Sequence, residues 1–175
     1  INKANLIISS ADIRKTYDGT TSARGKAVAV NGTQLFDTDT LTGGTFVFSD
    51  KNVGIGNREV TVSGVQVNDG NNGNNYNVYY WTNNTSSIRR KELTLSTVAN
   101  TKVYDGNVSA TARPLADGIV RGDRVTGLSQ QYADASVGDN KTLLIKPGYV
   151  IQDGNDGRNY IVIEQGSNDG VITAH

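Results

Sequence analysis

Short apolar runs, several of them alternating with polar residues, recur along the whole chain. They include Leu6-Ile7-Ile8, Ala27 to Val30, Thr45 to Phe48, Val60-Thr61-Val62, Val65-Gln66-Val67 and Tyr76 to Trp81. Further along come Leu93 to Val98, Leu143-Leu144-Ile145, Tyr149-Val150-Ile151 and Tyr160 to Ile163. A period of two sends successive side chains to opposite faces of a strand. Nowhere does a 3.6-residue apolar period persist for three turns, so the pattern predicts strands and little or no helix. Stretches rich in Gly, Asn, Asp, Thr and Ser separate the runs, and the 20 glycines of the chain suit many turns.

The runs fall into two series. Lys15-Thr16-Tyr17-Asp18-Gly19 returns 87 positions later as Lys102-Val103-Tyr104-Asp105-Gly106. Asp50, Val53, Gly54 and Gly64 return 84 positions later as Asp134, Val137, Gly138 and Gly148. Asp69 to Tyr76 matches Asp153 to Tyr160 at the same offset. A three-residue deletion between Ala110 and Asp123 reconciles the two offsets, and a shortened turn costs little there. The expected domains are residues 1–90 and 91–175. Ile1, Ile88 and Ile172 mark three junctions, so the chain reads as two units of a longer tandem array. Ser87 to Leu93 holds neither Pro nor Gly and predicts a short, stiff connection. About seven short strands in each unit predict two small β-sandwiches of immunoglobulin-like arrangement, with a β-grasp-like sheet as the alternative. No Cys pair marks the immunoglobulin type, and Trp81 has Gln165 as its counterpart.

Charge and composition narrow the partners. Seventeen basic residues balance seventeen acidic ones, which argues against nucleic acid and anionic membranes. With no Cys, neither disulfides nor thiol chemistry are available. No apolar run approaches the roughly 20 residues of a membrane span.

Candidate chemistry is sparse. The only His is His175, no Ser sits in a Gly-x-Ser-x-Gly elbow, and Gly54-Ile55-Gly56 lacks the third glycine of a phosphate loop, so no enzyme, nucleotide site or cofactor is expected. Asp37 and Asp39 read as solvated turn residues, since they do not return as a pair. In the Tyr-Asp-Gly motif, Tyr is amphipathic, Asp favours local backbone bonds and Gly supplies positive φ, which predicts a structural turn with the ring at the sandwich edge and its hydroxyl on a backbone partner. Lys15 and Lys102 are expected to lay their stems over the surface. The alternative is an isopeptide bond to Asn75 or Asn159, which needs a buried neutral Lys beside a carboxyl of raised pKa. Asp69 to Asn75 and Asp153 to Asn159 alternate oxygen-bearing side chains as calcium loops do. The second has Glu164 eleven residues on but Arg158 at position six, and the first has Tyr80 in place of the Glu, so turn chemistry explains both without a metal. Tyr79, Tyr80 and Trp81 form an aromatic run without a counterpart and are the candidate ligand-facing residues, against core or interface packing. Sequons at Asn31, Asn83, Asn84 and Asn107 fit the chance yield of an Asn- and Thr-rich chain.

In both units four elements occur in order: Lys-x-Tyr-Asp-Gly, an Ala four positions after the Gly, Asp-x-x-Val-Gly, and Gly-x-Asn-Tyr before a strand. In the first unit they are Tyr17, Asp18, Gly19, Ala23, Asp50, Val53, Gly54, Gly73, Asn75 and Tyr76. In the second they are Tyr104, Asp105, Gly106, Ala110, Asp134, Val137, Gly138, Gly157, Asn159 and Tyr160. This resembles the YDG-type repeat of large bacterial surface and secreted proteins. The resemblance implies modules of filamentous-haemagglutinin-like adhesins of Gram-negative bacteria, exported to the cell surface, where stacked repeats act as a stalk in attachment or biofilm formation. Neighbouring repeats of the same chain would be the first partners. The rival expectation is that the modules themselves bind a glycan or a host protein.

Overall fold

A computed structural model describes residues 2–175, so the junction residue Ile1 lies outside the described residues. The chain divides into two compact units, Ile1–Arg89 and Arg90–His175. Both are all-β, and no helix occurs among the described residues.

The first unit contains β1 (Ala4–Ser10), β2 (Arg14–Thr16), β3 (Ser22–Ala23), β4 (Ala27–Ala29), β5 (Thr40–Phe48), β6 (Gly54–Asn68), β7 (Tyr76–Tyr80) and β8 (Asn83–Arg89). A three-stranded sheet has the order β4-β1-β7 and a five-stranded sheet the order β2-β8-β6-β5-β3. β1 runs parallel to β7, and β2 runs parallel to β8. The opening and closing segments of the unit therefore run side by side through both sheets. Asn83 pins the step between them, its Nδ2 donating to the Ser10 carbonyl and to Asp12 Oδ1, both at 2.9 Å.

The second unit contains β9 (Lys91–Ser96), β10 (Asn100–Val103), β11 (Ser109–Ala110), β12 (Leu115–Asp117), β13 (Arg124–Thr126), β14 (Gln130–Tyr132), β15 (Gly138–Ile145), β16 (Val150–Gln152), β17 (Tyr160–Gln165) and β18 (Ser167–Thr173). Its sheets have the orders β12-β9-β17 and β10-β18-β15-β14-β11, with β13 and β16 as a separate pair. The plan is that of the first unit with one difference. β5 and β6 form one long hairpin from Thr40↔Asn68 to Phe48↔Val60, running through Gly43 and Gly64. In the second unit the same hairpin is broken into β14–β15 and β13–β16, with Pro147 and Gly148 at the break, since Pro offers no amide to a ladder.

The alternating runs supply the buried faces: Leu6 and Ile8 of β1, Phe46 and Phe48 of β5, and Val60 and Val62 of β6, matched by Leu93, Leu95, Leu143 and Ile145. β8 and β18 have no such run and are not evident from hydrophobic alternation. In β8 two hydroxyls replace apolar side chains. Buried Ser86 Oγ accepts from the Ile13 amide at 3.0 Å, and Ser87 Oγ accepts from the Gly56 amide at 2.8 Å, so small side chains keep the backbone satisfied where the strands step past each other. The expected connection Ser87 to Leu93 is largely strand, with Arg90 alone between β8 and β9. The three-residue deletion falls after β12, because Ala29 and Ala116 still pair with equivalent residues of β1 and β9.

Candidate functional site

The Lys-x-Tyr-Asp-Gly stretch forms a turn clamped by its own lysine. Lys15, on β2, donates from Nζ to Asp18 Oδ1 at 2.9 Å, to the Thr20 carbonyl at 3.0 Å and to the Ser22 carbonyl at 2.7 Å. Lys102, on β10, donates to Asp105 Oδ1 at 2.9 Å and to the carbonyl and Oδ1 of Asn107 at 2.8 and 3.1 Å. Each ammonium also lies 5.3 Å from the centre of a core ring, Phe48 in one unit and Tyr132 in the other. Asp18 and Asp105 accept from the amide two residues on, Thr20 at 2.9 Å and Asn107 at 3.1 Å. The glycines stand at φ 78° and 81°, a conformation open to Gly at no steric cost. Three donors of each ammonium are thus directed into its own turn, instead of towards the isopeptide partners Asn75 and Asn159.

Electrostatics follow the geometry. Burial pushes the Asp18 carboxyl up, but the bonds from Lys15 and Thr20 outweigh it and hold the group below its ordinary value. Asp105 is held low by Lys102 first and by the Asn107 amide next.

The tyrosines of the two motifs part company. Tyr17 is 1% exposed and its hydroxyl accepts from Lys51 Nζ at 3.1 Å, whereas Tyr104 is 45% exposed. The expected edge position therefore needs correcting for Tyr17, which is core, and its hydroxyl takes a bond from a lysine. Ala135 stands where Lys51 would recur, so the second unit has no such cation at the position.

The Asp-x-x-Val-Gly elements form the tips of the β5–β6 and β14–β15 hairpins. Asp50 and Asp134 accept from the Asn52 and Ser136 amides at 2.8 and 2.9 Å, and pair with Arg58 and Lys141 at 3.2 and 2.6 Å. The Gly-Asn turns are built on one carboxylate each. Asp69 takes the amides of Asn71, Gly73 and Asn75 at 2.8, 2.7 and 3.0 Å, and Asp153 takes those of Asn155, Gly157 and Asn159 at 2.7, 2.9 and 3.1 Å. Burial acts to raise the Asp69 pKa, but the three amides hold it below the ordinary value. These carboxylates are committed to backbone donors, and among the described residues no group of three His, Cys, Asp or Glu is placed to hold a metal.

Tyr76 and Tyr160, which begin the last strand of the small sheet, are buried and reach across to the loop before β5 or β13. Tyr76 Oη donates to Asp39 Oδ2 at 2.5 Å and accepts from the Phe36 amide at 2.9 Å. Tyr160 Oη donates to Asp123 Oδ2 at 2.6 Å and accepts from the Val120 amide at 3.0 Å. Burial, and next the carboxylate, push both phenols up. Asp39 is thus a structural acceptor and not a solvated turn residue. Its signal in the sequence is the 84-residue offset to Asp123, obscured because Asp37 has Arg121 as its counterpart.

The aromatic run is exposed throughout: Tyr79 54%, Tyr80 41% and Trp81 48%. β7, which holds the two tyrosines, is an edge strand, and none of the three side chains is packed in the core. Tyr80 Oη reaches β6, where it accepts from the Val65 amide at 3.0 Å. A concavity of about 680 Å³ lies between the two strands, lined by Val65, Gln66, Val67, Asn72, Val78 and Tyr80 among others. The second unit has a counterpart of about 740 Å³ lined by Tyr149, Ile151, Asp156 and Val162 among others. There the tyrosine has changed sides: Tyr149 Oη donates to Glu164 Oε2, and burial followed by that carboxylate pushes the phenol up to about 12. Neither this pair nor the recurrence of the concavity is evident in the sequence. Of the sequons, Asn31 and Asn84 are exposed, while Asn83 Nδ2 is engaged in the strand step. His175 is exposed.

These features define a tandem pair of all-β modules whose recurring residues are turn clamps. The YDG domain model matches residues 2–85 and again residues 89–168. The chain therefore belongs to the YDG domain family, in two repeats. No curated protein and no solved structure matches it.

Proposed function

We propose that the two repeats are stalk modules of a filamentous-haemagglutinin-like adhesin of a Gram-negative bacterium. They are displayed at the cell surface or secreted, and they carry a distal binding region outward for attachment or biofilm formation. In this reading each repeat is a small β-sandwich of immunoglobulin-like arrangement, with a β-grasp-like sheet as the alternative, and its role is mechanical and not enzymatic. The observation that carries the reading is the tandem itself: one module twice, with the same four turn clamps, and Arg90 alone between the strands that end one repeat and begin the next. So short a link limits bending, and reach then scales with the number of repeats. The test is small-angle scattering on chains of two, four and six repeats. A maximum dimension that grows in proportion to repeat number is expected, and a particle that stays compact would refute the stalk. Antibodies against the repeats should label intact cells of the source bacterium; labelling only after lysis would refute surface display.

The consecutive exposure of Tyr79, Tyr80 and Trp81 favours a second reading, in which the first repeat stacks on a sugar ring. A glycan array with the native chain and with Trp81→Ala separates the two. Signals lost in the variant support a lectin-like surface, and silence of the native chain removes it.

A further inference from the structure

The concavity between β6 and β7 is the gap left where the two sheets of a repeat approach without joining. On either side of β7 the Asn75 carbonyl and the Trp81 amide bond to Ala4 and Ile8 of β1, and alternation between them sets the direction of every residue in the strand. The amides and carbonyls of Val78 and Tyr80 consequently face away from β1, into the gap. On the other rim, the Val65 amide donates to Tyr80 Oη at 3.0 Å and the Val65 carbonyl lies 3.5 Å from it, so the Val65 backbone faces the gap as well. Two strand edges therefore look at each other across a space bridged by one tyrosine side chain. A sheet missing one strand has a gap of about 9.5 Å, twice the normal spacing, and a tyrosine with one hydrogen bond covers a comparable distance. The second repeat keeps the rim on the β7 side, and its tyrosine bridge ends on a side chain instead of a backbone. Asn159 and Gln165 bond to β9, Val162 and Glu164 face outward, and Tyr149 of the opposite rim spans to Glu164.

The remaining edges of the sheets are protected. β3 and β11 have two residues each, β4 has three, β2 carries Arg14 and Lys15, β10 carries Lys102, β13 carries Arg124, and β12 is three residues long beside Pro114. Short, charged or proline-flanked edges resist pairing. β7 reads Tyr-Asn-Val-Tyr-Tyr and has none of these devices, and the side chains named above as lining the first gap are all uncharged.

We propose that the gap between β6 and β7 is an acceptor site for a single extended, uncharged, β-forming peptide segment of another polypeptide, and that the gap between β16 and β17 is its counterpart in the second repeat. The entering strand displaces the Tyr80 hydroxyl from Val65 and takes backbone bonds from both rims, which is strand addition with two edges in place of one. An uncharged segment fits the first gap because no lining side chain would pair a buried charge. The inference does not depend on the stalk reading.

The test uses the intact 175-residue chain and a capped synthetic peptide of alternating Thr and Val. Binding is followed by Trp81 fluorescence, and the site is mapped by amide hydrogen exchange. Saturable binding is expected, with slowed exchange at both Val65 and Val78. Two further peptides have the same side chains but are N-methylated at odd or at even positions. Because a strand in the gap uses both of its edges, methylation of either set should weaken binding at least about tenfold, the loss of one or more hydrogen bonds. Tyr80→Phe removes the competing hydroxyl and should tighten binding roughly 2- to 10-fold. The proposal is overturned by no saturation up to about 1 mM peptide, by protection elsewhere than the gap, or by indifference to methylation. Sensitivity to only one methylated set would also overturn it, since that result means addition to one exposed edge.

Discussion

The two repeats fill the same corner of their core in opposite ways. In the first, Ile13, Phe46 and Phe48 form an apolar corner. The equivalent positions of the second are Asn100, Gln130 and Tyr132, all buried. There Asn100 Nδ2 donates to Tyr132 Oη at 3.0 Å, Asn100 Oδ1 accepts from the Ala112 amide at 2.9 Å, and Gln130 bonds both backbone groups of Val98 at 2.8 and 2.9 Å. Tyr132 Oη in turn donates towards the carbonyls of Asn100 and Val171 at 2.8 and 2.9 Å. No buried side-chain nitrogen or oxygen lacks a partner among the described residues, so the polar version is complete. The lesson is that the repeat preserves its turn clamps and, the broken hairpin aside, its strand pairings while the filling is free to change. The motif tyrosine differs between the repeats as well: Tyr17 is buried and Tyr104 is exposed.

The largest expected effect breaks that contrast directly. Tyr17→Ala should destabilise the first repeat by about 3–5 kcal/mol, the range for a large buried aromatic. Tyr104→Ala should stay within about 0.5 kcal/mol, as for an exposed site. Urea unfolding reads the first through the fluorescence of Trp81, the single tryptophan, and the second through amide exchange of β15. Similar losses in both repeats would show that the motif tyrosine contributes through the turn and not through burial.

A smaller effect sharpens the packing side. A Cβ on Gly25 would lie 2.5 Å from Phe46 Cδ1 and 2.9 Å from Ile13 Cδ1, whereas Ala112 holds the equivalent place beside Gln130 and Asn100. Gly25→Ala should therefore cost about 1–3 kcal/mol by overpacking. Phe46→Leu in the same chain should recover part of it, measured again by urea unfolding. Additive losses would mean that the glycine is not matched to the ring. In the polar corner, Tyr132→Phe leaves Asn100 Nδ2 without its acceptor and should cost about 1–3 kcal/mol. Phe and Tyr have nearly the same shape, so a neutral result would show that water replaces the hydroxyl.

How much of this was legible in the sequence depends on whether a role leaves a periodic or repeated mark. Strands with alternating apolar residues stood out, as did the tandem plan, because recurrence of Tyr-Asp-Gly and Gly-x-Asn-Tyr needs no structure to be seen. β8 and β18 did not, since Asn83 to Ser87 and Ser167 to Gly170 bury hydroxyls or bare backbone in place of an apolar face. The Tyr76–Asp39 and Tyr160–Asp123 clamps join residues 37 apart through side chains, and only the shared offset of the two aspartates hints at them. The gap beside β7 was hidden for a further reason: an edge is defined by what fails to pair, and no residue type encodes that by itself.

The smallest expected effect tests the part held constant. Lys15 and Lys102 make the same clamp over different core rings, so replacing either with Met should act alike in both repeats, unlike the tyrosines. Asp18 and Asp105 have folded pKa values below their unfolded value of 3.8. The stability that each contributes is present above that value and is lost as pH falls through the folded pKa. Removing the lysine should raise each carboxyl towards 3.8, read as a shifted NMR titration of its side-chain carbonyl carbon, and should flatten the acid limb of stability. For Lys15→Met the loss at neutral pH should be at most about 1 kcal/mol, because the Asp18 side chain is 47% exposed and solvent screens the pair. Lys102→Met should move in the same direction. A titration shift in one repeat only would mean that the ring beneath the ammonium, Phe48 or Tyr132, sets the clamp, so that the turn as well as the core differs between the two copies.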